Sequence, residues 1–95
     1  MQTCNVYIAK RELIMSQKIK INEQFGMNLR ELRKKNKLTQ EQVVAKLQIR
    51  GFDMSRSAYA QIECGTYNIR ITELAALKDI FSTTYDSFFE GVNYN

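Results

Sequence analysis

Ninety-five residues pass without a proline, and only four of them are glycine. Proline removes a backbone donor and clashes with the preceding helical turn, and glycine costs entropy inside a helix. A chain this poor in both has little to interrupt helices, and its helix-start signals recur at short intervals. Asn22 is a good N-cap, with a side-chain oxygen for the first free N–H groups. Phe25, Leu29 and Leu32 follow at helical spacing, on one face. Thr39 with Gln42 three residues on forms the S/T-x-x-E/Q capping box, which satisfies two orphan donors reciprocally. Val43, Val44 and Leu47 supply that helix's apolar face. Gly51-Phe52-Asp53 marks a turn, and Ser55 opens a third helix with Tyr59 and Ile62 facing inward. Gly65 sits just past its end, where a left-handed cap is wanted. Ile71, Leu74, Leu77 and Phe81 keep helical spacing in a fourth, and Tyr85, Phe88 and Phe89 fall in a short fifth. The pattern predicts a compact all-α domain with helices over about 23–36, 40–48, 56–64, 71–81 and 85–90.

That domain is expected over residues 22–91, with residues 1–21 as an N-terminal arm or extension. Ser16 to Ile21 alternates polar and apolar side chains, which suits a short strand or an extended arm. Leu13-Ile14-Met15 suits a short helix instead, and Met15 would also serve as a start of translation. Lys and Arg number 14 against 10 Asp and Glu, a formal charge of +4, which leans toward a polyanionic partner. Histidine is absent, which removes the commonest general base and metal ligand. Cys4 and Cys64 make neither a disulfide framework nor a zinc-ligand set. No run approaches the length of a membrane span or the apolar core of a secretory signal. The expectation is a soluble, cytoplasmic, non-enzymatic protein with no cofactor, no metal, no membrane partner and no small-molecule ligand.

Two short helices joined by a turn, the second with a polar outer face, are the parts of a helix-turn-helix. A helix about 10–12 Å across fits the major groove of B-DNA. Its outer face must carry small and polar groups so that its backbone can approach base edges. Ser55-Arg56-Ser57-Ala58 and Ala60-Gln61 meet that demand, and Tyr59 and Ile62 keep the bulk on the inner side.

Leu38 to Leu47 and Ser55 to Gly65, with Leu29-Arg30-Glu31-Leu32-Arg33 before them and Thr72-Glu73-Leu74 through Phe89 after them, resemble the Cro/lambda-repressor-like (Xre-type) helix-turn-helix family. The resemblance covers residues 22–91. It implies a five-helix domain that binds double-stranded DNA as a transcriptional regulator, usually a homodimeric repressor on a two-fold operator. It also implies roles for single residues. Arg56, Ser57 and Gln61 match base-reading positions, and Gln40 matches a phosphate contact. Arg33 and Glu63 match a structural ion pair between the first and third helices. The family's geometry brings the end of the first helix, with Lys35 and Lys37, near the DNA backbone. Two features depart from the family. Gln48 to Met54 is a longer connection than the tight turn of its best-known members, and Cys64, Thr66, Tyr67 and Ile69 replace residues common after the third helix.

Each assignment has a plainer counterpart. The basic run from Arg30 to Lys37 is also what a solvated helix face looks like. Ser55 joins the phosphate set, yet its local role is an N-cap. Asn68 can donate to a phosphate or simply make a turn, and Arg70 can reach a phosphate or the minor groove. Tyr85, Phe88, Phe89 and Val92 are too apolar for one exposed terminal turn. Phe88 or Phe89 is expected in the core, with Tyr85, Phe89 and Val92 as the candidate dimer seam. Because Arg56 is the one cation in the third helix, an antitoxin or other protein-interaction module on the same fold stays open beside the DNA reading.

Overall fold

The computed structural model describes residues 18–93, and five helices run through them: α1 (Glu23–Lys35), α2 (Gln40–Ile49), α3 (Arg56–Glu63), α4 (Ile71–Ile80) and α5 (Tyr85–Phe89). Three of the starts are made by the expected caps. Asn22 Oδ1 accepts from the Phe25 N–H at 2.9 Å. Thr39 Oγ1 accepts from the Gln42 N–H at 3.1 Å, and Gln42 Oε1 accepts from the Thr39 N–H at 2.8 Å. Ser55 Oγ accepts from the Ala58 N–H at 3.0 Å. The start of α4 has no such cap, and Glu73 serves instead by accepting from the Arg70 N–H at 2.8 Å. The N-terminal helix of the sequence reading, around Leu13, lies outside the described residues.

The first four helices all close in one way. The second residue past the C-cap donates its N–H back to the third-last helical carbonyl: Leu38 to Arg33, Phe52 to Leu47, Thr66 to Gln61 and Thr83 to Lys78, at 3.0–3.1 Å. That closure requires a left-handed residue just before it. Gly51 and Gly65 supply it in two helices, and Lys37 (φ 59°) and Ser82 (φ 49°) supply it in the other two. A side chain in that region costs roughly 1 kcal/mol relative to glycine. Lys37→Gly is therefore expected to raise stability by about 1 kcal/mol. A thermal melt checks this, and an unchanged or lower midpoint would contradict it.

The core forms where the inner faces of the helices meet. Leu29, Leu47, Tyr59, Ile62, Leu77 and Phe88 are all fully buried in it. Phe25 stacks near Phe88 with ring centroids 6.1 Å apart and leans on Phe89 at 5.3 Å. Asn28 ties α1 to the last turn, donating to the carbonyls of Phe88 and Glu90 at 2.9 and 2.8 Å. One apolar position departs from expectation. Ile71 is 61% exposed, because the buried stripe of α4 runs through Glu73, Leu74, Leu77 and Phe81 and leaves its first residue on the rim.

Two glycines set where α3 sits. A Cβ on Gly26 of α1 would stand 2.8 Å from the Ile62 carbonyl oxygen and closer still to that of Glu63. A Cβ on Gly65 would stand 2.7 Å from the Asn22 oxygen and the Glu23 Cα. The C-terminal end of α3 thus meets the N-terminal end of α1 backbone to backbone, a favourable meeting of opposite dipole ends. The long α2–α3 connection is held from within: Met54 is buried, and the Gln48 side chain donates to its carbonyl at 3.0 Å.

Residues 18–21 lie against this body. Ile19 forms an isolated antiparallel bridge with Ile69, with backbone bonds in both directions.

Candidate nucleic-acid interface

In α3 the side chains divide by face as helical spacing requires. Tyr59 and Ile62 are fully buried, and Glu63 is turned into the protein as well. Arg56, Ser57 and Gln61 are exposed, with Ala58 and Ala60 half-buried beside them. The small alanines keep the outer profile of the helix low. The side chains of Arg56, Ser57 and Gln61 make no hydrogen bond or ion pair among the described residues, so their donors and acceptors remain open to a ligand.

A charged network holds the inner edge of α3. Arg33 Nε and Nη2 donate to the two Glu63 oxygens at 2.7 and 3.1 Å, a bidentate pair. Arg33 Nη1 donates to the Leu38 carbonyl at 2.9 Å. Gln40 Nε2 donates to Glu63 Oε1 at 3.0 Å, which binds the start of α2 into the same cluster. Burial alone would push the Glu63 carboxyl up. Hydrogen bonds from Arg33 and Gln40, with the Arg33 charge, outweigh burial and hold it below its usual range. The bond to Glu63 in turn raises Arg33. The Tyr59 hydroxyl is buried beside this cluster without a hydrogen bond of its own. Burial first, and then the Glu63 charge, push that phenol far up, so it stays neutral.

The expected phosphate contacts are placed less uniformly. Lys35 and Lys37 are exposed at the end of α1, with Arg30 and Lys34 near them, and none of the four pairs with a carboxylate among the described residues. Ser55 is exposed and caps α3. Asn68 is exposed in the connector after α3, where its Oδ1 accepts from the Ile21 N–H at 3.3 Å. Gln40 is half-buried and drawn toward Glu63, and Arg70 lies against Glu73 with Nη1 to Oε2 at 3.2 Å. Tyr85 and Phe89 are 46% and 43% exposed, Val92 is half-buried, and Phe88 is the ring that enters the core.

Several residues that position this surface have no counterpart in the sequence reading. Gly26 lets α1 touch the end of α3, and a glycine inside a strong helical pattern is the signal that could have marked it. Glu73 caps α4, and a Glu at the third helical position is the usual mark of that role. Asn28 acts across a long separation and leaves no local signal. Ile19 falls in the alternating stretch that suits a short strand or an extended arm, but nothing local marks Ile69 as its partner.

A capped helix pair, with the second helix buried on one side and open and polar on the other, defines a DNA-binding regulator of the helix-turn-helix class. Comparison with protein families matches residues 26–93 to the family described as helix-turn-helix domain. The chain belongs to that family, whose members are typically non-enzymatic. No curated protein and no solved structure matches it. Among the described residues, no helix is long and apolar enough to cross a membrane.

Proposed function

We propose that this protein is a sequence-specific repressor of the Cro/lambda-repressor type, acting in the cytoplasm as a homodimer on double-stranded DNA. In this reading α3 lies in the major groove. Arg56 donates to guanine O6 and N7, Gln61 pairs with adenine, and Ser57 completes the base contacts. Lys35 and Lys37 anchor phosphates, joined by Ser55, Asn68, Arg70 and Gln40 through its remaining amide N–H. One observation carries the reading: the polar face of α3 is exposed and unpartnered, while its bulky residues are all buried. Any surface helix buries one face. What supports a reading role for α3 is that it is the second helix of a helix-turn-helix pair and that the exposed Arg56, Ser57 and Gln61 side chains are all left without partners among the described residues.

The dimer rests on a second patch. Exposed Ile71, Tyr85 and Phe89 line one apolar groove together with Ile19 and Leu74. Val92 borders an adjoining one. A face of this kind is commonly covered by a partner, and a second copy would cover it isologously, matching a two-fold operator. Repression needs nothing of the chain beyond occupancy of the site.

The same groove, with Arg56 as the one cation in α3, favours a second reading, an antitoxin-like module whose partner is another protein. Gln61→Ala separates the two. Affinity for a preferred duplex is expected to fall about tenfold or more, while affinity for random duplexes barely changes. Equal losses on both would remove base reading by α3. Co-purification of a stoichiometric protein, with no duplex bound at low salt, would favour the second reading.

A further inference from the structure

Immediately after α3 the chain makes a short connector, Thr66 to Arg70, and the segment 18–21 is laid along it. The Ile19–Ile69 bridge fixes the register of the two. Ile69 is fully buried and Ile19 packs on the core, so the pairing is anchored from beneath. Above it, the Lys18 ammonium stands 4.0 Å from the centre of the Tyr67 ring. The Ile21 N–H holds the Asn68 amide oxygen, which leaves the Asn68 NH2 group as the donor end.

We propose that Lys18, Tyr67 and Asn68 form a phosphate anchor beside α3, assembled by the pairing of residues 18–21 with the connector. It rests on the DNA-binding reading above and adds Lys18 and Tyr67 to the contacts. Arg33, Arg50 and Arg70 are held by carboxylates, those of Glu63, Asp79 and Glu73, while Lys35 and Lys37 extend without an ionic partner among the described residues and Lys78 lies more loosely over Tyr85, at 5.2 Å. Lys18 is held more closely by its ring. An aromatic face restrains an ammonium without cancelling its charge, and the donors pointing away from the ring remain for an anion. The charge is thus placed in advance, and less side-chain freedom is lost when a phosphate arrives. Thr66, Tyr67 and Asn68 are all exposed, and Thr66 is tied to the α3 carbonyl of Gln61 by both its N–H and its hydroxyl. A phosphate flanking the groove that α3 enters would lie within a few residues of this cluster.

The test is the salt dependence of binding to a preferred and to a random duplex, for the full chain and four variants: Lys18→Gln, Tyr67→Phe, Tyr67→Ala and Lys18→Gln combined with Tyr67→Ala. Neutralising one phosphate contact lowers the slope of log K against log salt by about 0.9 and, extrapolated to 0.15 M salt, weakens binding about fivefold. Lys18→Gln is expected to show both effects, equally on preferred and random duplexes, with an unchanged melting midpoint. Tyr67→Phe keeps the ring and should bind as the parent does. Tyr67→Ala should lose most of what Lys18→Gln loses, and the double variant should lose no more than Lys18→Gln alone. A slope unchanged by Lys18→Gln, with the parent still binding steeply, overturns the anchor and leaves the DNA reading intact. Additive losses in the double variant would overturn the coupling of ring and ammonium. A parent that binds no duplex at any salt would take both readings down.

Discussion

Gly26→Ala is expected to lower stability by about 2–3 kcal/mol, roughly 10–20 °C in the melting midpoint of a domain this size. The sign is what makes the result informative. Judged by helix propensity alone, alanine at an interior helical position should stabilise by about 1 kcal/mol. Here its Cβ would meet the backbone of Ile62 and Glu63, which no rotamer change can move aside. Either α1 and α3 separate, or one of them bends. In both cases the end of α3 shifts relative to α2, and the outer face loses its fixed pose. A calorimetric melt measures the loss, and a stability equal to or above the parent's would show that the two backbones do not meet at Gly26.

The second large effect is expected from Glu63→Ala. Arg33 is only 12% exposed and its guanidinium is held on both edges by Glu63 and Leu38. Removing the carboxylate strands that charge and takes an acceptor from Gln40, and breaking a buried pair from one side costs about 3–5 kcal/mol. Replacing both members by apolar residues of similar size, as in Arg33→Met with Glu63→Met, should recover most of the loss, since the desolvation cost vanishes with the charges. A double variant as unstable as Glu63→Ala would show that the cluster is needed for more than charge balance. The cluster also sets an acid response. The Glu63 carboxyl is held below its ordinary range in the folded state, so the unfolded chain binds its proton more readily. The stability this confers is complete above the usual glutamate value of about 4.3 and is lost as the pH falls through the lower folded-state value. A Glu63→Gln variant should therefore show a flatter stability curve below about pH 4 than the parent does.

What could be seen in the sequence depended on how local its cause was. The caps at Asn22, Thr39 and Ser55 each involve a side chain and a backbone N–H three residues away, so a window of four residues contains the physics. The inner and outer sides of α3 follow from a repeat of three to four residues, with Tyr59 and Ile62 on one side and Ser57 and Gln61 on the other. The left-handed closures at Lys37 and Ser82 were hidden because residue type did not mark them as it did at Gly51 and Gly65. Ile71 looked like part of a buried stripe, since spacing gives the period of a face and not where it enters the core. Gly26 was ambiguous on its own, because an interior glycine is either a flaw or a point of close approach, and only the neighbouring helix decides which. The bridge between Ile19 and Ile69 and the hold of Asn28 on α5 join residues about fifty to sixty apart, beyond any local pattern.

The most direct measurement is selection by the full chain from a pool of random duplexes, followed by dimethyl sulfate interference on the enriched sequence. Methylation at guanine N7 blocks the major-groove edge that Arg56 is assigned to read. The account predicts a recurrent, two-fold symmetric site with at least one guanine in each half where methylation abolishes binding. A pool that stays random, or an enriched site on which N7 methylation has no effect, would contradict it.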